Sequence, residues 1–248
     1  MVGAGGAQTA ALIEAVRALS ARVSALRFAE PVTHVYNPLD YARELGEAYL
    51  TRFGARRGRV LLLGMNPGPW GMSQTGVPFG EVAHVRDWMQ LRGAVGRPAQ
   101  EHPKRVVSGL ECTRSEVSGA RLWGWAAQRF GSPEAFFERF FVWNWCPLAF
   151  MESSGRNRTP DKLPAAERAA LEGVCDASLL EIVRLLSPAR ILGVGVFAQK
   201  RAEVALGAEA PPLGRILHPS PASPLANRGW AEQAERQLQQ LGLLTESD

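Results

Sequence analysis

The stretch Val60-Leu61-Leu62-Leu63-Gly64-Met65-Asn66-Pro67-Gly68-Pro69-Trp70-Gly71-Met72 constrains the fold of this chain more than any other. Val60 to Gly64 is an unbroken apolar run of strand length. A run without polar alternation suits a strand buried on both faces, as in a parallel sheet. That strand cannot continue. Pro67 and Pro69 have no N–H for a ladder, and Gly68 and Gly71 open backbone angles closed to other residues. The chain must leave the sheet in a stiff loop with Asn66 at its corner. Ligands of open α/β sheets bind outside the carboxyl ends of strands. An ordinary strand-to-turn junction would look the same, so this stretch alone does not decide between the two.

Three other places repeat the arrangement. Phe140 to Trp143 runs into Asn144-Trp145-Cys146-Pro147. Arg190 to Val196 follows Pro188 and reads as another buried strand. Arg215-Ile216-Leu217 runs into His218-Pro219-Ser220-Pro221. If these strands are parallel, Asn66, Asn144 and His218 share one rim. The expected architecture is therefore α/β, a single domain over 1–248 with a central parallel sheet flanked by helices. Apolar spacing predicts helices over 9–26, 41–53, 83–93, 119–128, 133–139, 164–186, 197–206 and 229–241. Residues 1–30 read as an amino-terminal helical extension. Residues 28–41 read as a loop with Asp40 as a candidate N-cap, and 73–82 as an irregular, functional loop. Ser153 to Pro160 reads as a polar loop whose Arg156 and Arg158 are either solvated or in contact with phosphate.

Composition narrows the classes. The formal net charge is +4, and Lys104, Lys162 and Lys200 are the only lysines, so the basic side is mostly arginine. Arginine suits phosphate oxygens, and a modest basic excess is compatible with nucleic acid. Cys112, Cys146 and Cys175 are odd in number and widely separated in sequence, which argues for reduced thiols, an intracellular protein and no metal site. No apolar stretch is long enough to span a bilayer. Met1 to Ala11 does not have the pattern of a secretory signal. The protein is expected to be a monomer without a membrane partner.

The rim residues define a chemistry. Asn66 is no base, but its side-chain oxygen can hold a water, which is sufficient when the electrophile is as reactive as an oxocarbenium ion. Ordinary glycosidases use paired carboxylates, and no carboxylate stands among the strand-end residues. The leaving group must then depart as an anion, stabilised by a donor such as His218. Asn144 can read a base edge with its paired acceptor and donor, and Phe79 can stack on a base. Together they describe a pocket for one extruded nucleobase.

The segment Gly64 to Val82, the pair His218-Pro219-Ser220-Pro221 and Asn227-Arg228-Gly229-Trp230, and the segments Glu116 to Arg121 and Ser154 to Asn157 resemble the single-strand-selective monofunctional uracil-DNA glycosylases. The resemblance runs from about Pro31 to Leu244. It implies the uracil-DNA glycosylase fold and removal of uracil and oxidised 5-substituted uracils from single- and double-stranded DNA, with no cofactor. By that resemblance, Asn66 positions water, His218 stabilises the departing base, Asn144 and Phe79 bind uracil, and backbone at Met65 and Gly68 borders its C5 side. The loop Pro219, Ser220, Pro221, Ala222, Ser223, with Arg228, is then expected to contact DNA. The sequence departs from vertebrate members at Ala222 and Ser223, where those carry a basic residue and an asparagine, and at Trp70 and Trp145. The small pair implies a weaker wedge. The rival reading is a non-catalytic protein that binds damaged or single-stranded DNA.

Overall fold

Two sheets frame the protein in this computed structural model, which describes residues 4–245. Residues 1–3 and 246–248, the extreme ends of the expected domain and the first part of the Met1–Ala11 stretch, lie outside the described residues. The larger sheet contains β2 (Val60–Gly64), β3 (Phe140–Asn144), β6 (Arg190–Val194) and β7 (Leu213–Ile216), in the order β3-β2-β6-β7. Its pairings are all parallel, as the apolar runs demand. Every residue of β2 and β3 is buried, so the two central strands take the fully covered positions that unbroken Val, Leu and Phe runs require. The register pairs Gly64 with Asn144. The pairing continues past the strands, where Trp145 N–H donates to Gly64 O at 3.0 Å and Cys146 N–H donates to Met65 O at 2.9 Å. The two loops therefore leave the rim side by side.

The helices are α1 (Ala4–Ser24), α2 (Pro38–Tyr41), α3 (Arg43–Phe53), α4 (Met72–Thr75), α5 (Val117–Phe130), α6 (Pro133–Arg139), α7 (Ala165–Leu186), α8 (Val196–Leu206) and α9 (Trp230–Gln240). Helix α8 lies on β6, β7 and β2 and packs on α7, which in turn packs on α1. A second group, α5 with α6 and α9, reaches the sheet through α6 on β3 and α9 on β7. The start of α6 is written in its sequence. Ser132 caps it by accepting from Ala135 N–H at 3.2 Å, and Pro133 occupies the first turn, where its missing N–H costs nothing. Helix α1 is integral to the domain, because Leu12, Val16, Leu19 and Val23 are buried in the common core.

Several expectations need correction. Residues 28–41 are not simply a loop: they hold β1 (Val32–Tyr36) and α2. Asn37, not Asp40, caps α2, accepting from Leu39 N–H at 3.2 Å, while Asp40 pairs with Arg43. The segment 153–160 is also structured. β4 (Ala149–Glu152) pairs with β1 and with β5 (Asn157–Arg158) in a three-stranded antiparallel sheet. Within it Arg158 is committed to Glu152 at 3.1 Å, whereas Arg156 is exposed. The helix expected over 83–93 is shorter and wider: the helical segment ends in one π-helical turn, His84–Trp88, and the chain after it takes no regular structure, with Gln90 at φ 52°. The loop 73–82 begins inside α4. The cysteines are free, but Cys146 and Cys175, distant in sequence, come together as buried thiols in the core.

Candidate active site

The carboxyl rim of the parallel sheet opens into a pocket of about 700 Å³. Asn66 follows β2, Asn144 ends β3 and His218 follows β7, and all three line it with Met65, Gly68 and Phe79. The convergence expected from the apolar runs is therefore present. Ser220, Pro221, Ala222 and Ser223 form another wall. Pro219 is buried and turns its carbonyl to Arg121 at 3.0 Å, and Arg228 is exposed on the surface beyond the lining.

Each side chain is held in one orientation. The Asn66 amide nitrogen donates to Leu148 O at 3.2 Å and to Pro67 O at 3.4 Å. Its donors are thus turned to backbone, and its oxygen remains as an acceptor. The ring of His218 accepts at Nδ1 from Ser220 N–H at 3.0 Å. A neutral ring so engaged carries its proton on Nε2. Burial lowers the His218 pKa to about 4, so near neutral pH the ring is uncharged and is a donor through Nε2–H. Arg121 secures the same loop by donating to Pro219 O and to Asn227 Oδ1, the latter at 2.8 Å.

Asn144 is only 4 % exposed. Its nitrogen donates to Met72 Sδ at 3.2 Å, and its buried Oδ1 has no partner. A thioether is a weak acceptor, and a buried acceptor without a donor costs about 1–3 kcal/mol. Phe79 sits at φ 53°, a left-handed angle that aromatic residues rarely adopt. Its ring centroid is 6.1 Å from that of His218, and its carbonyl accepts from Trp123 Nε1 at 3.0 Å. Gly64 makes the floor possible. A Cβ there would stand 2.2 Å from Asn144 Oδ1 and 2.5 Å from the Phe79 ring.

One lining residue has no role that the sequence pattern reveals. Glu116, the residue before α5, brings a carboxyl to the pocket from outside the strand ends. It fills the space under the proline loop, where a Cβ on Gly71 would meet its Oε2 at 1.6 Å. Its buried Oε2 lacks a partner, and burial, with the negative Glu81 adding to it, raises its pKa to about 7. The only hint in the sequence is its place in a segment shared with the family. Trp145 is structural: its Nε1 donates to Asp176 at 2.7 Å, and Arg201 lies over its ring. Among the described residues no group of three His, Cys, Asp or Glu side chains could hold a metal ion, and no helix is long and apolar enough to cross a membrane.

A parallel sheet with this pocket at its carboxyl rim is the frame of a base-excising glycosylase, and comparison with known proteins agrees. The model of the uracil DNA glycosylase superfamily matches residues 51–239, and the chain belongs to that superfamily. Within it, the chain groups with the single-strand-selective monofunctional enzymes. It is 53 % identical over 228 residues to the "Single-strand selective monofunctional uracil-DNA glycosylase" of Rattus norvegicus, covering 91 % of this chain and 82 % of that one. It is 54 % identical over 221 residues to the Bos taurus protein of that name, covering 88 % and 81 %. The crystal structure of wild-type Pedobacter heparinus SMUG2 shares the fold, with a TM-score of 0.66 at 17 % identity over 93 % of this chain and 97 % of that one.

Proposed function

We propose that this chain is a monofunctional uracil-DNA glycosylase of base-excision repair, hydrolysing the N-glycosidic bond with water as nucleophile. The observation that carries the reading is the fixed, complementary orientation of two neutral side chains in one pocket. Asn66 offers an acceptor with its donors engaged elsewhere, and His218 offers Nε2–H. The acceptor suits a water waiting at the sugar. The donor suits negative charge growing on the departing base, where a preorganised hydrogen bond acts on the transition state. Extruded uracil would lie against Phe79. Its N3–H would meet the unpartnered Asn144 Oδ1, and O4 would compete with Met72 Sδ for the amide donors. Met65 and Gly68 backbone would border C5, leaving room for oxidised 5-substituents. Ser220 to Ser223 would enter the gap in a duplex or lie along a single strand.

The test is base release from oligonucleotides carrying uracil, 5-hydroxymethyluracil or 5-formyluracil, each single- and double-stranded. Free base and an intact abasic strand are expected. Tight binding of uracil-containing DNA with no abasic site would instead establish the non-catalytic binder.

A further inference from the structure

Beside the base pocket lies a second concavity of about 520 Å³, and Trp70 forms a wall of both. Lys104, Arg105 and Arg114 line it, with Glu111 as the one carboxylate among its lining residues. The Arg114 guanidinium carbon stands 4.5 Å from the Trp70 ring centroid and that of Arg105 5.2 Å. Both are within cation–π range, an attraction that grows as the cation is desolvated. Arg105 is also anchored through Nε to Gly155 O at 2.8 Å. Among the described residues, no hydrogen bond or ion pair engages the side chains of Arg114 or Lys104. Some surface arginines are paired, as Arg17 is with Glu47, Arg52 with Glu134 and Arg184 with Glu209, whereas Arg156 and Arg228 are exposed and, among the described residues, unpaired like Arg114 but do not line this concavity.

We propose that this concavity is a phosphodiester subsite, in which Trp70 holds two guanidiniums for the backbone of the DNA strand flanking the extruded nucleotide. The proposal rests on the glycosylase reading of the adjoining pocket. Three features single out a phosphodiester. The unpaired cations face a concave space, arginine matches phosphate oxygens, and the shared Trp70 wall puts the space within reach of the same strand.

The experiment measures binding of single-stranded oligonucleotides containing 2′-fluoro-deoxyuridine, whose fluorine opposes oxocarbenium formation and so slows cleavage. One linkage at a time is neutralised as a methylphosphonate. Wild type should lose about 10-fold in affinity at one or two linkages next to the target, the loss typical of a charge-assisted hydrogen bond. In Arg114→Gln the same substitutions should cost little. The slope of log K against log salt should also shrink by about 0.7 for each phosphate that the variant no longer neutralises. Lys104→Gln, at an exposed position, provides a second reading should Arg114→Gln fold poorly. An unchanged scan and an unchanged salt slope in both variants would overturn the subsite. Wild-type base release from ordinary uracil DNA is measured alongside. Its absence would remove the glycosylase reading, while the scan would still report whether the concavity holds phosphate.

Discussion

The two rims of the parallel sheet solve the same problem in opposite ways. At the amino rim, next to β2, the buried Arg59 donates to Phe53 O at 2.7 Å and to Phe137 O at 2.9 Å, and Gly54 O accepts as well. The guanidinium also lies 4.7 Å from the Phe141 centroid. Only its Nε is without a partner. At the carboxyl rim, three pocket residues, Asn144, Glu116 and Asn157, each keep a buried oxygen that nothing meets. Unpaired buried acceptors are costly in the empty protein. A ligand that supplies donors recovers that cost. The amino rim therefore satisfies its buried polar groups within the fold, while the carboxyl rim leaves buried acceptors unpaired, which is the hydrogen-bonding capacity that the proposed function assigns to substrate.

The largest expected effect breaks the contrast at Asn144. Asn144→Asp replaces the amide donor with an acceptor, which in the proposed pose would face O4 of uracil. Sites built around such bonds discriminate by roughly 10⁴, so uracil release should fall by about that factor, with cytosine release appearing only weakly. Matched oligonucleotides carrying uracil or cytosine measure both, and a variant that keeps wild-type rate and preference would remove Asn144 as the reader. Next come Asn66→Ala and His218→Ala, each expected to lower single-turnover rates by about 10²–10³ while the protein stays folded by circular dichroism. Near wild-type turnover in either would undo its assignment.

Arg59→Leu sharpens the contrast from the other side. It strands backbone carbonyls inside the protein and should cost about 2–4 kcal/mol of stability in chemical denaturation, with little change in the rate of the residual folded enzyme. A large rate defect without destabilisation would dissolve the division between the rims.

A smaller effect concerns Glu116. Its folded pKa of about 7 lies above its ordinary value of 4.5. The unfolded chain therefore releases this proton at lower pH than the folded one. The group's contribution to stability is present below about pH 4.5 and declines as pH rises to about 7. Glu116→Gln should remove that decline. The Tm of the variant relative to wild type should rise between about pH 4.5 and 7 and then level. A Tm difference independent of pH would show that Glu116 is not held neutral. The smallest effect concerns the wedge. Ala222→Arg should favour duplex over single-stranded substrate by a few-fold in kcat/KM, since added charge alone assists both; equal gains on the two substrates would argue against insertion.

Sequence by itself determined the parts that depend on local pattern. The unbroken apolar runs at Val60 and Phe140 specify buried parallel strands, and Pro67 and Pro147 end them, so the chain alone marks Asn66 and Asn144 as rim residues. Ser132 and Pro133 mark the start of α6 in the same way. Strand β1 is illegible in the sequence because Val32-Thr33-His34-Val35-Tyr36 shows no clean apolar/polar alternation, only its two end residues being buried, and its partner β4 lies more than a hundred residues away. Tertiary structure alone decided which nitrogen of His218 carries the proton, since that depends on Ser220 N–H, and which way Asn66 turns, since that depends on Leu148 O. It also decided that Glu116 and the Trp70 concavity adjoin the site. Periodicity records which face of an element is apolar. The meeting of distant side chains, and the protonation and orientation that follow, arise from desolvation and hydrogen-bond partners that exist only once the elements have packed.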